Sequence, residues 1–294
     1  MIVVVCPANV VTGGPEALHQ LVHTINKEEP GFGAICYVPF ENSHLKPSEY
    51  AMYDTPTILK QDIPENALVV LPEIYPQMVN DFTQKCAFWW LSVDNYPNTG
   101  EEDRNKMYMH LAQSEYAWKH VHNNYSIIPR MLTDYINGVF DTPKTSQRQQ
   151  RVMVNRVKGA ELNEAFAAQN PNLPIFSMHG MPRTEVLKEL ANSEIYVDFG
   201  HHPGRDRMPR EAAICGAIVL SIRKGSAQYY TDMPINDFYK FDTVEEASAK
   251  VAEILQDPEK HRQIQKEYVD IIRHQHYAFK TEVHSLIGTY KELL

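Results

Sequence analysis

Residues 194–221 read EIYVDFGHHPGRDRMPREAAICGAIVLS. The run Ile195–Phe199 is apolar and β-branched, as in a strand buried on both faces of a parallel sheet. A polar loop dense in His, Gly and Arg follows. Pro209 then suits the first turn of a helix reaching Cys215, and Ala217–Ser221 is a second buried strand. Strand, loop, short helix and strand in this order make one unit of a parallel α/β sheet. Helix N-termini favour anions, and Arg205, Arg207 and Arg210 would add charge-assisted bonds. A carboxylate at Glu211 could accept hydrogen bonds from a diol such as a ribose, or simply satisfy the helix dipole.

The same alternation extends outward. Upstream, Val152–Asn155 reads as a strand, Ala160–Gln169 as a helix, Pro174–Met178 as a strand and Arg183–Ala191 as a helix. Downstream come two helical stretches, Val244–Leu255 and Glu259–Leu294, the second expected to break near His274–His276. The N-terminal half repeats the pattern. Ile2–Cys6 is a strand, and Ala17, Leu18, Leu21, Val22 and Ile25 give the helix after Gly13 and Gly14 one apolar face. Ala34–Val38, Ala67–Leu71, Cys86–Val93 and Met107–Gln113 read as strands, Glu115–His122 as a helix and Tyr125–Ile128 as a closing strand. Between the halves, DTPKTSQRQQR (Asp141–Arg151) is polar, holds Pro143 and lacks apolar periodicity, so it reads as a linker. The expected architecture is therefore α/β, with two Rossmann-like parallel-sheet domains facing a central cleft where ligands meet the strand ends.

Composition fits a soluble globular chain of 294 residues, with 43% hydrophobic and 22% charged side chains. A net charge of −9 argues against a dedicated nucleic-acid binder. The four cysteines stand singly, without CxxC spacing, as buried thiols of a reducing compartment would. The opening apolar run is too short for a signal sequence or a span. The expected location is cytoplasmic, or peripheral at the inner face of a membrane.

The segment 194–221 resembles the donor-binding signature of GT-B glycosyltransferases, in the large retaining family called group 1 (family 4-like). There a strand and a Pro- or Gly-containing loop lead into a helix beginning Glu-Ala-x-Ala-x-Gly. Here that helix reads Glu211-Ala-Ala-Ile-Cys-Gly216. The match is nearest to a small bacterial branch with HPGxDRxPREAA. Two further segments are similar: Asn155-Arg-Val-Lys-Gly159 after the first strand of the second domain, and Thr12-Gly-Gly-Pro-Glu16 after the first strand of the chain. The resemblance implies that Glu211 holds the ribose of a sugar nucleotide. It implies that Arg156 and Lys158 bind its diphosphate, and that the Gly13–Gly14 loop faces donor and acceptor. On this reading residues 1–143 are the acceptor-side domain, with a helix over about 274–294 packing back on it. Residues 152–273 are the nucleotide-sugar domain. Pro203 stands where the family has a second glutamate, and Gly204–Arg207 replaces its usual run, so the resemblance does not fix the sugar.

Softer donor-side candidates are His202, Arg205, Arg207 and Ser226. Glu73 and Asp94 follow first-domain strands and are the candidate catalytic carboxylates, Asp94 as a group that binds or orients an acceptor hydroxyl; the plainer alternative is a capping Asp on a buried strand. The Gly13–Gly14 loop lacks the Walker lysine and GxGxxG spacing. His179, His201 and His202 lack metal-ligand spacing, so neither metal nor cofactor is expected. The function expected is transfer of a sugar from a nucleotide donor to a hydroxyl, with retention and without metal, in surface glycan synthesis on a glycan or lipid-linked acceptor. Alternatives are a non-catalytic nucleotide-sugar sensor, a sugar-nucleotide epimerase, and a glycosyltransferase acting on hydroxylated DNA bases, the last disfavoured by the acidic charge.

Overall fold

The computed structural model describes residues 1–40, 46–98, 101–138 and 148–292. By its contacts the chain divides into two units. The first is Met1–Tyr135, Pro203–Arg205 and His276–Leu294; the second is Ile136–His202 and Asp206–Gln275.

In the first unit, β1 (Ile2–Pro7) leads into α1 (Gly13–Glu28) and β2 (Gly33–Val38). Then come β3 (Leu68–Pro72), β4 (Lys85–Trp90), the short helix α2 (Glu101–Asn105), β5 (Met109–Ala112), α3 (Glu115–Tyr125) and β6 (Arg130–Met131). The six strands are all parallel, in the order β2-β1-β3-β4-β5-β6. Val3 and Val5 face one core, with Phe88 and Trp90; Ile2 and Val4 face the other, with Leu18, Leu21 and Trp89. Both faces are covered, which is why these strands read as unbroken apolar runs.

The second unit holds β7 (Gln149–Asn155), α4 (Ala160–Gln169), β8 (Ile175–Met178), α5 (Arg183–Asn192), β9 (Ser193–Asp198), α6 (Arg207–Ile214), β10 (Ile218–Ile222) and β11 (Lys240–Phe241). The helices α7 (Val244–Ile254), α8 (Pro258–Ile264) and α9 (Lys266–Lys291) complete the chain. Five parallel strands run β11-β10-β9-β7-β8. Both sheets thus share one winding: the first strand lies between the second and the third. The order reverses between β1 and β3 in one unit and between β7 and β9 in the other. In open α/β sheets ligands bind beyond the carboxyl ends at such reversals.

Three details differ from the sequence reading. Tyr125–Ile128 is not a strand. α3 runs through Tyr125, whose ring stacks on Trp90, and Ser126 closes the helix in a left-handed conformation (φ 56°), leaving β6 to form after Pro129. The terminal helix does not break at His274–His276. It breaks at Gln265, whose side-chain amide donates to Val219 O (2.8 Å) and accepts from Val219 N (2.9 Å), serving β10 as a neighbouring strand would. β7 begins at Gln149, within the expected linker, because Gln149 already pairs with Ser193 of β9; residues 141–147 of that linker lie outside the described residues.

α9 starts in the second unit. Its last turns place Phe279, Val283, Leu286, Ile287 and Tyr290 in the first unit's core. Tyr290 donates to Asn66 O (2.6 Å) and accepts from the Met1 amine (2.7 Å). All four cysteines are buried free thiols. No helix among the described residues is long and apolar enough to cross a membrane.

Candidate functional site

The carboxyl edge of β7 and β9 carries a dense charged network. Asp198 ends β9, fully buried. It accepts from Tyr196 OH and from Gly200 N, both at 2.8 Å. The His202 imidazole, also without exposed surface, has Nε2 3.6 Å from Asp198 Oδ1 and Nδ1 2.9 Å from Asp206 Oδ2. Lys158 Nζ donates to both Asp206 oxygens, at 2.8 and 2.7 Å. Burial alone lowers the pKa of His202, but the two carboxylates outweigh it and hold the ring above its ordinary value. Burial alone raises the pKa of Asp206, but His202 and Lys158 bring it down to about 2. Burial and the neighbouring Asp198 push Tyr196 well up, so it stays a neutral donor.

Backbone geometry fixes this cluster. Ser226 N donates to His202 O (2.8 Å). Gly225 has φ +60°, and a Cβ there would lie 2.0 Å from the same carbonyl, so only glycine lets the two loops close.

Asp206 also opens α6, and one turn on stands Glu211, buried. Its carboxylate accepts from Arg207 Nε (3.3 Å), with Arg183 Nη2 at 3.7 Å. Arg183 is a cation the sequence reading missed; it opens α5, and nothing local in the sequence links it to Glu211. The fully buried Arg210 donates to Asp206 O (3.1 Å) and Gln275 (3.0 Å), holding the helix start. Arg156 follows β7 and is exposed to solvent.

In the first unit, Glu73 follows β3 and Asp94 follows β4. Glu73 is buried. Its two oxygens accept from Leu91 N and Ser92 N, each at 3.1 Å. Burial pushes its pKa up to about 7, against these hydrogen bonds, which pull it down. Asp94 lies on the following 3₁₀ turn, Val93–Asn95, exposed to solvent. Its negative charge is felt at the half-buried His120 of α3. Gly13 and Gly14 are the first residues of α1, beside the β1/β3 reversal. A Cβ on Gly14 would touch only Leu91 Cδ1, at 3.9 Å.

No protein-family model matches this chain, and no curated protein does. Solved structures do. Sucrose-phosphate synthase from Thermosynechococcus elongatus superposes with a TM-score of 0.66 at 12% identity, over 99% of this chain and 98% of its own. The T4 phage DNA-modifying β-glucosyltransferase gives 0.60 at 12% identity, over 99% of this chain and 100% of its own. TarM gives 0.57 at 11% identity over 77% of this chain, which spans 55% of TarM. The chain has a GT-B fold.

Within that GT-B fold the sequence-derived candidates fall into two sets. Lys158, His202, Arg207, Glu211 and Ser226, with Arg156, lie at the carboxyl edge of the second unit's sheet. Gly13, Gly14, Glu73 and Asp94 lie in the first unit. Arg205 also counts with the first, its N–H donating to Gln113 Oε1 (3.1 Å). His202 and Ser226 have buried side chains. Asp206 and Asp198 are the counter-ions of Lys158 and His202.

Proposed function

We propose that the chain is a glycosyltransferase that moves a sugar from a nucleotide-sugar donor to a hydroxyl. The observation that carries this reading is the pairing, at one sheet reversal, of a buried carboxylate one turn into a helix with a cluster of cations. Glu211, flanked by Arg183 and Arg207, would receive the ribose hydroxyls. Lys158, now on Asp206, and the exposed Arg156 would neutralise the leaving diphosphate, so that side chains supply the positive charge a metal would bring. Asp94 would accept a hydrogen bond from the acceptor hydroxyl and orient it. The resemblance to the retaining group 1 enzymes supports retention of anomeric configuration. It also supports a surface-glycan or lipid-linked acceptor met in the cytoplasm or at the membrane's inner face.

A second acceptor, a hydroxylated base in DNA, is favoured by one finding. The DNA-modifying β-glucosyltransferase matches over 99% of this chain and 100% of its own. Charge opposes it. The first unit carries 11 basic against 18 acidic side chains, a net −7, and the second, 17 against 19, a net −2.

The test is release of free nucleotide from a panel of sugar nucleotides, alone and with glycan, lipid-linked and hydroxymethylated-DNA acceptors. Transfer to any of them, with the product's anomeric proton read by NMR, supports the reading. Nucleotide binding without turnover would point to a sensor, and interconversion of the donor sugar without release to an epimerase.

A further inference from the structure

We infer that Glu73 is a positioning residue that sets the acceptor carboxylate Asp94 by anchoring the turn on which it stands. This rests on the reading of Asp94 given above. After β4 the chain leaves the sheet in a short turn whose backbone donors are almost all accounted for. Leu91 N and Ser92 N donate to the two oxygens of Glu73. Val93 N donates to Pro203 O (3.0 Å), Asn95 N to Ser92 O (3.0 Å) and Tyr96 N to Val93 O (3.3 Å). Two consecutive amides converging on one carboxylate form an anion-binding nest, and here the protein fills it with its own side chain. Glu73 is tied down in turn, because its N–H donates to Trp89 O (3.1 Å), extending the β3–β4 ladder by one bond. From another side Gly204 presses on the turn. A Cβ there would lie 1.9 Å from Leu91 O. The turn that carries Asp94 is thus gripped at three successive residues before Asp94 itself.

Position 73 needs two acceptor oxygens, one for each amide. A glutamine has one acceptor oxygen and would turn its NH₂ toward the second amide, leaving that buried donor facing another donor. A shorter aspartate keeps the charge and loses the reach. Glu73 is buried and both its oxygens are taken up by the amides of the turn, so its effect on turnover would pass through the turn.

Two measurements test this on the full chain. The first is amide hydrogen exchange of the peptide covering residues 91–96. Glu73→Gln should speed it about tenfold or more, with the β1 and β3 peptides unchanged. Glu73→Asp gives the same reading should Glu73→Gln fail to fold. Unchanged protection at 91–96 would overturn the positioning role whatever the activity. The second is a double-substitution cycle on kcat and donor KM, with UDP-glucose as probe and either water or the best acceptor of the panel. Glu73→Gln should lower kcat by roughly 10–100-fold with donor KM unchanged, and should add nothing in an Asp94→Ala background. Equal losses in both backgrounds would refute action through Asp94. Full activity of Asp94→Ala would instead refute the reading of Asp94, leaving the exchange result to judge the anchoring on its own.

Discussion

Asp206→Asn removes the carboxylate that joins Lys158 to His202, and its cost can be worked from the structure. In the folded chain this carboxyl titrates at about 2, against an ordinary 3.8. A group whose folded pKa is depressed contributes stability above its unfolded pKa and loses it as pH falls through the folded one. The contribution should be complete above about pH 4 and vanish near pH 2. The difference, a little under two units, corresponds to about 2 kcal/mol. The side chain is 21% exposed, so most of that figure should survive solvent screening. The partner effect has the opposite sign. The His202 pKa is raised, so its contribution is full at low pH and declines as pH rises through the folded value. Tryptophan fluorescence is the wrong probe, because Trp89, Trp90 and Trp118 all belong to the first unit. The assay is urea unfolding followed by hydrogen-exchange labelling of the β7 and β9 peptides, from pH 2 to 7, in the parent and in Asp206→Asn. The stability gap should be flat between about pH 4 and 6, decline above that as His202 loses its proton, and close towards pH 2. A gap of constant size across pH 2–4 would show that the Lys158–Asp206–His202 linkage does not stabilise the second unit.

Other outcomes follow from the same contacts. Glu73 titrates at about 7 when folded against 4.5 ordinarily, so its protonated form favours folding. Relative to Glu73→Gln, the parent should lose roughly 3 kcal/mol as pH rises from about 4 to 8; a pH-independent difference in urea midpoints, read by tryptophan fluorescence, would contradict this. Gly225→Ala should destabilise the second unit by at least about 2 kcal/mol, from the left-handed backbone and the clash with His202 O, whereas Gly14→Ala should leave folding nearly unchanged; equal effects would speak against both assignments. Gln265→Ala strips both bonds to Val219 and should cost about 1–3 kcal/mol, seen as faster exchange in β10.

What the sequence conveyed follows from how local each signal is. Strands buried on both faces, such as Ile2–Pro7 and Ile218–Ile222, were legible because burial on both sides demands continuous apolar runs. Glu211 was legible because its helix, loop and strands are contiguous in the chain. Arg183 was not, since only the packing of α5 brings it to Glu211. Asp206 and Asp198 could be recognised as acidic, but their partners Lys158 and His202 meet them through tertiary structure. Gln265 reads as one more helical glutamine until its amide is seen paired with Val219. Tyr125–Ile128 misled because its aromatic and β-branched residues suit a strand, while stacking of Tyr125 on Trp90 kept it helical. The role of Glu73 likewise depends on the amides of β4's exit, residues it meets only through the β3–β4 pairing.

The most direct measurement is calorimetric titration of nucleoside diphosphate, with UDP as the first probe, into the parent chain and into Glu211→Ala. Saturable one-to-one binding to the parent is expected. Glu211→Ala should weaken it about 10–100-fold with the second unit still folded, as expected for losing a charged hydrogen-bond acceptor from a bound diol. Equal affinity in the two proteins would contradict the placement of the donor at α6. Absence of binding for UDP and every other nucleoside diphosphate would contradict the glycosyltransferase reading itself.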